Sequence, residues 1–343
     1  MIFTLNRDKS RQLIEGLTEA AIIVRGASVV MSNRAARNLL GIAIENVDVR
    51  QVLPHPAVIE RLVRGGVTGP EEIEAAGFGG SRRHWLVRIS PLGDGAMLVR
   101  LIDRSEARAA EQMRVDFVAN ASHELRTPLS TLVGYTETLR EHTGDLDGDT
   151  QERFLAIVHD EARRMQRVVE DLISLSRIEA EKFTTPTEAV DLEQLIEVAV
   201  ESAKRVAEQR GSKLVCEIDA ELPPIAAERV QILQVLDNLI TNALRYGEPG
   251  TPVKVSASLE DAMVHLAVSD QGEGIAPEHV KRLTERFYRV DTSRSRSLGG
   301  TGLGLSIVKH IVERHRGRLT FESTVGTGTT VHVLLPVAIL SLP

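Results

Sequence analysis

The residues able to do chemistry begin at His123, inside the run Phe117–Leu129, which reads FVANASHELRTPL. Met113, Phe117, Ala121 and Leu125 recur every four residues and mark a buried helical stripe. His123 and Glu124 fall beside that stripe, where the helix turns to solvent. His123 and Thr127 are four apart and share a face, and Glu124 and Thr127 are three apart. Pro128 removes a backbone donor, frees the Glu124 carbonyl and bends the helix one turn after the histidine. A neutral imidazole keeps a lone pair near pH 7 and can act as a nucleophile. A carboxylate that accepts the proton on one ring nitrogen fixes the tautomer and leaves the other nitrogen free to attack. Glu124 is the candidate carboxylate, with its reach set by rotamers because neighbouring helical residues diverge by about 100°. Taken alone, an exposed His–Glu pair is also an ordinary solvated face.

Four further motifs lie in the C-terminal half. Leu236–Gly247 (LDNLITNALRYG) puts Asn238, Asn242 and Arg245 on a helix, with the two asparagines four apart on one face. An amide oxygen suits Mg²⁺, which keeps most of its water and phosphate ligands. SDQGEGI carries Asp270, Gly272 and Gly274 directly after a strand pattern. Its carboxylate can accept from an exocyclic amine, and its glycines let a ligand approach the backbone. ERFYRVD supplies Phe287, Tyr288 and Arg289. Gly299–Ile307 (GGTGLGLSI) is a glycine-rich loop opening a helix, whose free N–H groups and dipole suit phosphate. Each motif alone is equally a polar face, a turn, packing or a loop.

Together, and in this order, the run FVANASHELRTPL and the four C-terminal motifs resemble the sensor histidine kinases. The first resembles their phospho-acceptor box. The others resemble the ATP-binding domain shared with gyrase-type ATPases, heat-shock chaperones of that fold and mismatch-repair ATPases. No G-x-x-x-x-G-K-[ST] of a P-loop is present. The resemblance implies that His123 receives the phosphoryl group of ATP and that Glu124 is the base. Thr127 would place water for removing phosphate from the partner. It further implies Asn242 as the Mg²⁺ ligand, Asn238 as support for the nucleotide and Arg245 as a phosphate contact. Tyr246 would pack on the base and Asp270 would bind the adenine amine. Gly272 and Gly274 would admit the ligand, Arg289 would meet the γ-phosphate, and Gly300, Thr301, Gly302, Leu303 and Gly304 would shape the phosphate loop. Arg245 stands where the family commonly has lysine, which keeps the charge and changes the geometry. Residues 275–298 would form a lid, with Arg294 and Arg296 facing phosphate or solvent. Gly326–Thr330 (GTGTT) matches a last glycine box, with Thr329 or Thr330 near the nucleotide. The implied cofactors are ATP and Mg²⁺. The implied partners are a response-regulator receiver domain and a second copy of the chain.

Composition sets the frame. The chain has 343 residues, with 42% apolar, 26% charged and a formal charge of −7. This is an ordinary globular composition with room for two or three domains, and no basic domain points to nucleic acid. The single cysteine, Cys216, excludes a disulfide framework or a cysteine-rich zinc site and reads as a small buried hydrophobe on a strand. No run approaches the roughly 18 apolar residues of a membrane span, and MIFTLNRDKSRQ is too polar for a signal peptide. A cytoplasmic chain, or the cytoplasmic part of an anchored sensor, is expected.

The elements that must position these residues fall into three domains. In 1–103, a helix over 8–18 precedes strands Ala21–Val24 and Val29–Ser32. Asn33 caps a helix Arg34–Leu40 that stops at Gly41. Short helices follow near Val49–Leu53 and Ala57–Arg64, then a hairpin of His84–Ser90 and Ala96–Ile102 around Pro91–Gly95, with Trp85 in the core. This order resembles a PAS sensory domain, an α/β fold. In 104–183, two long helical patterns share narrow apolar stripes, the second capped by Asp149 or Thr150. They predict an antiparallel helical hairpin that pairs with a second copy into a four-helix bundle. In 189–337, helices on one side of a mixed sheet predict an α/β sandwich, so the whole is a multidomain α+β chain. The domain order resembles the phosphate-regulon type of sensor kinase. A non-kinase ATPase of the same nucleotide fold would lack the acceptor box, and a non-catalytic scaffold would have a degraded ATP site.

Overall fold

The computed structural model describes residues 7–41, 43–64, 67–78, 83–142, 144, 146–181, 183–291 and 300–338. Its contacts divide into two compact units, Met1–Val118 and Ala119–Pro343. The expectations for Arg294, Arg296 and Gly299 lie outside the described residues.

The first unit begins with α1 (Arg7–Glu15), then β1 (Ala20–Arg25) and β2 (Ser28–Ser32). α2 (Arg34–Leu40), α3 (Val49–Val52) and α4 (Pro56–Arg64) follow, and then β3 (Glu71–Ala76), β4 (His84–Gly93) and β5 (Ala96–Asp103). The strands form one sheet in the order β2-β1-β5-β4-β3, with antiparallel neighbours. The alternating apolar positions of β1, β4 and β5, such as Ile22, Val24, Trp85, Val87, Val99 and Leu101, meet Leu53, Val58 and Leu62 in the core. On the opposite face Ile14 of α1 packs with Ile23, Met31 and Ala96. Asn33 caps α2 as its sequence position predicts. Its Oδ1 accepts from Ala36 N at 2.8 Å and Ala21 N at 2.9 Å, and its Nδ2 donates to the Leu17 and Glu19 carbonyls. β3 went unread because EEIEAA has one β-branched residue. It is an edge strand and needs little apolar surface. The expected turn Pro91–Gly95 contracts to Asp94–Gly95, since Pro91 still pairs with Met97 across a bulge.

The Phe117–Leu129 stretch lies on α5 (Ser105–Glu141), which continues through Pro128. α6 (Gly148–Ala180) follows it. The cap of α6 is Asp147 rather than Asp149 or Thr150. Its carboxylate accepts from Thr150 N and Thr150 Oγ1 at 2.8 and 2.9 Å, and Asp149 falls in the first turn.

Beyond α6 come β6 (Ala189–Val190), α7 (Leu192–Gln209), β7 (Leu214–Ile218), β8 (Ile225–Ala226) and α8 (Arg229–Tyr246). β9 (Val253–Glu260), β10 (Met263–Asp270), α9 (Pro277–Val280), α10 (Gly304–Arg314), β11 (Arg318–Thr324) and β12 (Gly328–Pro336) complete the unit. The main sheet runs β11-β12-β10-β9-β7, with only the β7–β9 pair parallel. The apolar stripes of α8 and α10, including Val235, Leu239, Ile307 and Ile311, meet inward residues such as Val255, Leu266 and Val333. Cys216 corrects one expectation: it is exposed. It sits on an edge strand that pairs on one side only and has three exposed residues in a row, so LVCEI buries little despite its apolar sequence.

Candidate active site

The C-terminal motifs converge on the end of β10, the C-terminal half of α8 and the start of α10. Asp270 ends β10 opposite Thr329 of β12. Its Oδ1 accepts from the Gly272 N–H at 2.9 Å. Burial pushes its carboxyl up to about 6, against the lowering effect of the Gly272 and Thr329 N–H groups. A half-buried carboxylate in this setting gains from a further donor, such as an amine. Gly272 pairs with Gly247 in an isolated bridge. A Cβ there would lie 2.3 Å from the Tyr246 carbonyl oxygen and 2.9 Å from Asp270 Oδ1. Gly274 has φ 68° and comes so close to the Thr324 carbonyl that no side chain fits. Gly272→Ala is therefore expected to weaken ATP binding by about tenfold, since overpacking costs about 1–3 kcal/mol. Titration with a fluorescent ATP analogue checks it, and unchanged affinity would contradict the close approach.

Asn238 and Asn242 lie half-buried on one face of α8. Asn238 Oδ1 would stand 2.7 Å from a Cβ on Gly304, the first residue of α10, so a side chain there would displace the Asn238 amide. Gly300 and Leu303 are buried. Gly302 has φ 74°, and its carbonyl accepts from Phe287 N at 2.8 Å, which ties ERFYR to the loop. The tight backbone, the free start of α10 and the Asp270 carboxylate fit a nucleotide, and the Asn242 amide oxygen fits Mg²⁺. Tyr246 is 43% exposed, as a ring that packs on a ligand must be. Arg245 is mostly withdrawn from solvent beside Arg167 and Asp171 of α6. Burial pushes its guanidinium below the ordinary value; Arg167 acts in the same direction, while Tyr246 and Asp171 oppose it.

α10 lies against α6, and polar bonds join the two halves of this unit. Thr301 Oγ1 of the glycine loop donates to Asp171 Oδ2 at 2.8 Å, and Ser174 Oγ donates to Gln234 Oε1 at 2.8 Å. Arg286 pairs with Glu179. Buried Arg314 reaches Glu181 at 3.1 Å and Glu228 at 2.5 Å.

His123 is exposed on α5 and lines a cavity of about 360 Å³ with Asn120 and Glu124. Arg282, Glu285, Arg286, Phe287 and Tyr288 complete the wall from the segment after α9. Glu124 Oε2 accepts from Arg289 Nη2 at 2.8 Å and from Arg164 Nη2 at 3.3 Å. The Arg289 side chain is 5% exposed. Arg289 thus stands at the carboxylate next to His123 here. Thr127 Oγ1 donates to the His123 carbonyl at 3.4 Å. His123, Glu124 and the ERFYR segment come together in one place.

Arg164 and Asp171 went unread from sequence. The legible signal is on α6, where Ile157, Glu161, Arg164, Val168, Asp171, Leu175 and Ile178 follow the three/four spacing of the stripe. Three charged residues at positions that otherwise face a partner helix mark a polar contact rather than a plain seam. Among the described residues no group of three His, Cys, Asp or Glu side chains gathers as a metal cluster.

Two family models match the chain. Residues 113–181 match the His Kinase A (phospho-acceptor) domain, and residues 227–339 match the histidine kinase-, DNA gyrase B- and HSP90-like ATPase. The chain is 32% identical over 335 residues to the phosphate regulon sensor protein PhoR of Pseudomonas aeruginosa, covering 94% of this chain and 75% of that protein. It is 32% identical over 331 residues to the sensor protein SrrB of Staphylococcus aureus, covering 94% of this chain and 55% of that protein. It therefore spans about half the length of that second relative. The histidine kinase ThkA, solved in complex with response regulator protein TrrA, shares the fold at TM-score 0.54 and 19% identity, over 95% of this chain and 98% of that one. An acceptor-helix match followed by an ATPase match, within a likeness that runs nearly end to end, settles the family: the chain belongs to the sensor histidine kinases, which are ATP-dependent protein histidine kinases.

Proposed function

We propose that His123 is the phospho-acceptor and that the site on α8, β10 and α10 delivers the γ-phosphoryl group of ATP to it. One imidazole nitrogen attacks the γ-phosphorus while the bond to the β–γ bridging oxygen breaks, and its electron pair leaves with ADP. Glu124 accepts the proton from the other ring nitrogen, so the phosphoimidazole forms neutral in the ring. Asp270 accepts the adenine amine and Tyr246 covers the base. Asn238, Arg245 and Gly300–Gly304 hold the phosphates. Mg²⁺ on Asn242, when bound, neutralises phosphate charge. Catalysis of this kind is mostly positioning and charge neutralisation. The observation that carries the reading is the cavity that His123 and Glu124 share with Arg286 and Tyr288, together with the bond from Arg289 to Glu124.

The phosphoryl group then passes to an aspartate of a response regulator: the P–N bond breaks and a P–O bond forms. The solved relative bound to a response regulator supports a partner of this class. Thr127, one turn beyond His123, supports a phosphatase activity towards that partner. The apolar residues exposed on α5 and α6, among them Leu129, Val133, Val169 and Ile173, support pairing with a second copy into a four-helix bundle. The strand order β2-β1-β5-β4-β3 supports a PAS-type sensory domain over 1–103, with the acceptor hairpin over 104–183 and the ATP-binding domain over 189–337. No helix among the described residues is long and apolar enough to cross a membrane. A cytoplasmic location is the reading we adopt, whether or not a longer form is anchored.

The test is incubation with γ-labelled ATP and Mg²⁺, with and without EDTA. Label on the protein that requires Mg²⁺ is the expected result. Hydrolysis of ATP with no labelled protein would replace this reading with that of a non-kinase ATPase.

A further inference from the structure

Arg164 is an arginine in the wrong kind of place for a plain bundle. It sits at a stripe position of α6, and the residue is 7% exposed. Its Nη2 lies 3.3 Å from Glu124 Oε2 and its Nη1 lies 3.7 Å from Glu161 Oε2. Its Nε is buried with no hydrogen-bond partner. A buried guanidinium engaged only at its two tips is a poor source of stability, because desolvation offsets much of the attraction. Its geometry serves something else. Glu124 and His123 are adjacent on a helix and diverge by about 100°, so the carboxylate needs an outside anchor to lean towards the imidazole. Arg164, on the facing helix, bonds Oε2 and not Oε1. Arg289 grips the same Oε2 at 2.8 Å. Where Arg289 meets the γ-phosphate, as the family resemblance implies, Arg164 is the counter-charge that stays on Glu124.

We propose that Arg164 is a positioning residue for histidine phosphorylation, holding Glu124 by Oε2 so that its other oxygen serves as the base for His123. The inference rests on the reading of Glu124 as that base. It predicts a loss confined to the chemical step, since Arg164 touches no residue of the nucleotide cradle.

The experiment is a double-mutant cycle on the full chain, reading the initial rate of label transfer at saturating Mg-ATP. Glu124→Gln should lower the rate by about 100-fold, the scale of a lost general base. Arg164→Met should lower it by about tenfold with the KM for ATP unchanged. Arg164→Lys, which keeps a charge but not the planar fork, should recover part of the rate. Arg164→Met combined with Glu124→Gln should be no slower than Glu124→Gln alone, because residues acting as a unit are non-additive. Losses that multiply would overturn the inference, as would Arg164→Met at the parental rate while Glu124→Gln is slow. A general folding defect in Arg164→Met would raise KM and leave Arg164→Lys uncorrelated with the fork, which also counts against it. A Glu124→Gln variant at the parental rate would instead sink the base reading, and the role of Arg164 with it.

Discussion

His123→Gln carries no acid-labile label after incubation with Mg²⁺ and γ-labelled ATP, a loss on the order of 10³-fold or more, while its affinity for ATP is that of the parent. The reason is chemical. Glutamine offers an amide in place of an imidazole lone pair, and removing a nucleophile removes the covalent step outright. Affinity is preserved because His123 stands on α5 and not among the glycines, Asn238 and Asp270 of the proposed cradle. Glutamine also keeps good helix propensity at an exposed position, so α5 is not perturbed. Residual label above background would place the acceptor elsewhere. A parallel loss of ATP affinity would mean that the two halves of the site are not separable.

Asp270→Asn is expected to bind ATP about 10- to 100-fold more weakly, the range of a lost hydrogen bond to a charged group. The pH dependence supplies a second readout. Burial raises the carboxyl from an ordinary 3.8 to about 6. The folded form therefore holds this proton more tightly than the unfolded chain. The stability it contributes is full below about pH 4 and is lost as pH rises through about 6. Nucleotide binding runs the other way. The adenine amine needs the ionised carboxylate as acceptor, so ATP affinity should rise with pH through about 6 and level off near 7. In Asp270→Asn that rise should be absent. Isothermal titration between pH 5 and 8 checks both points. A parental affinity flat across that range would remove Asp270 from the adenine contact.

Much of this site is legible in sequence because local chemistry dictates it. Gly272, Gly274, Gly302 and Gly304 stand where a Cβ would meet Tyr246, Thr324, Phe287 or Asn238. Their spacing in the chain is thus a direct trace of close backbone approach. Asn33 announces its helix because a capping side chain must precede the first turn. What escaped depends on partners distant in sequence. Glu124 is 165 residues from Arg289 and 40 from Arg164, and no local pattern reports either pairing. Cys216 looked buried because LVCEI is apolar, yet exposure is decided by its place at the sheet edge. β3 was hidden for the converse reason: its three glutamates, Glu71, Glu72 and Glu74, belong to an edge strand partly facing water.

The measurement that goes most directly to the central claim is to find the phosphoryl group itself. The chain would be labelled with Mg-ATP, digested at alkaline pH and its phosphopeptides sequenced by mass spectrometry. The account predicts one alkali-stable, acid-labile phosphate, on the peptide that contains His123. Phosphate on another histidine, or an acid-stable phosphate on serine or threonine, would contradict it.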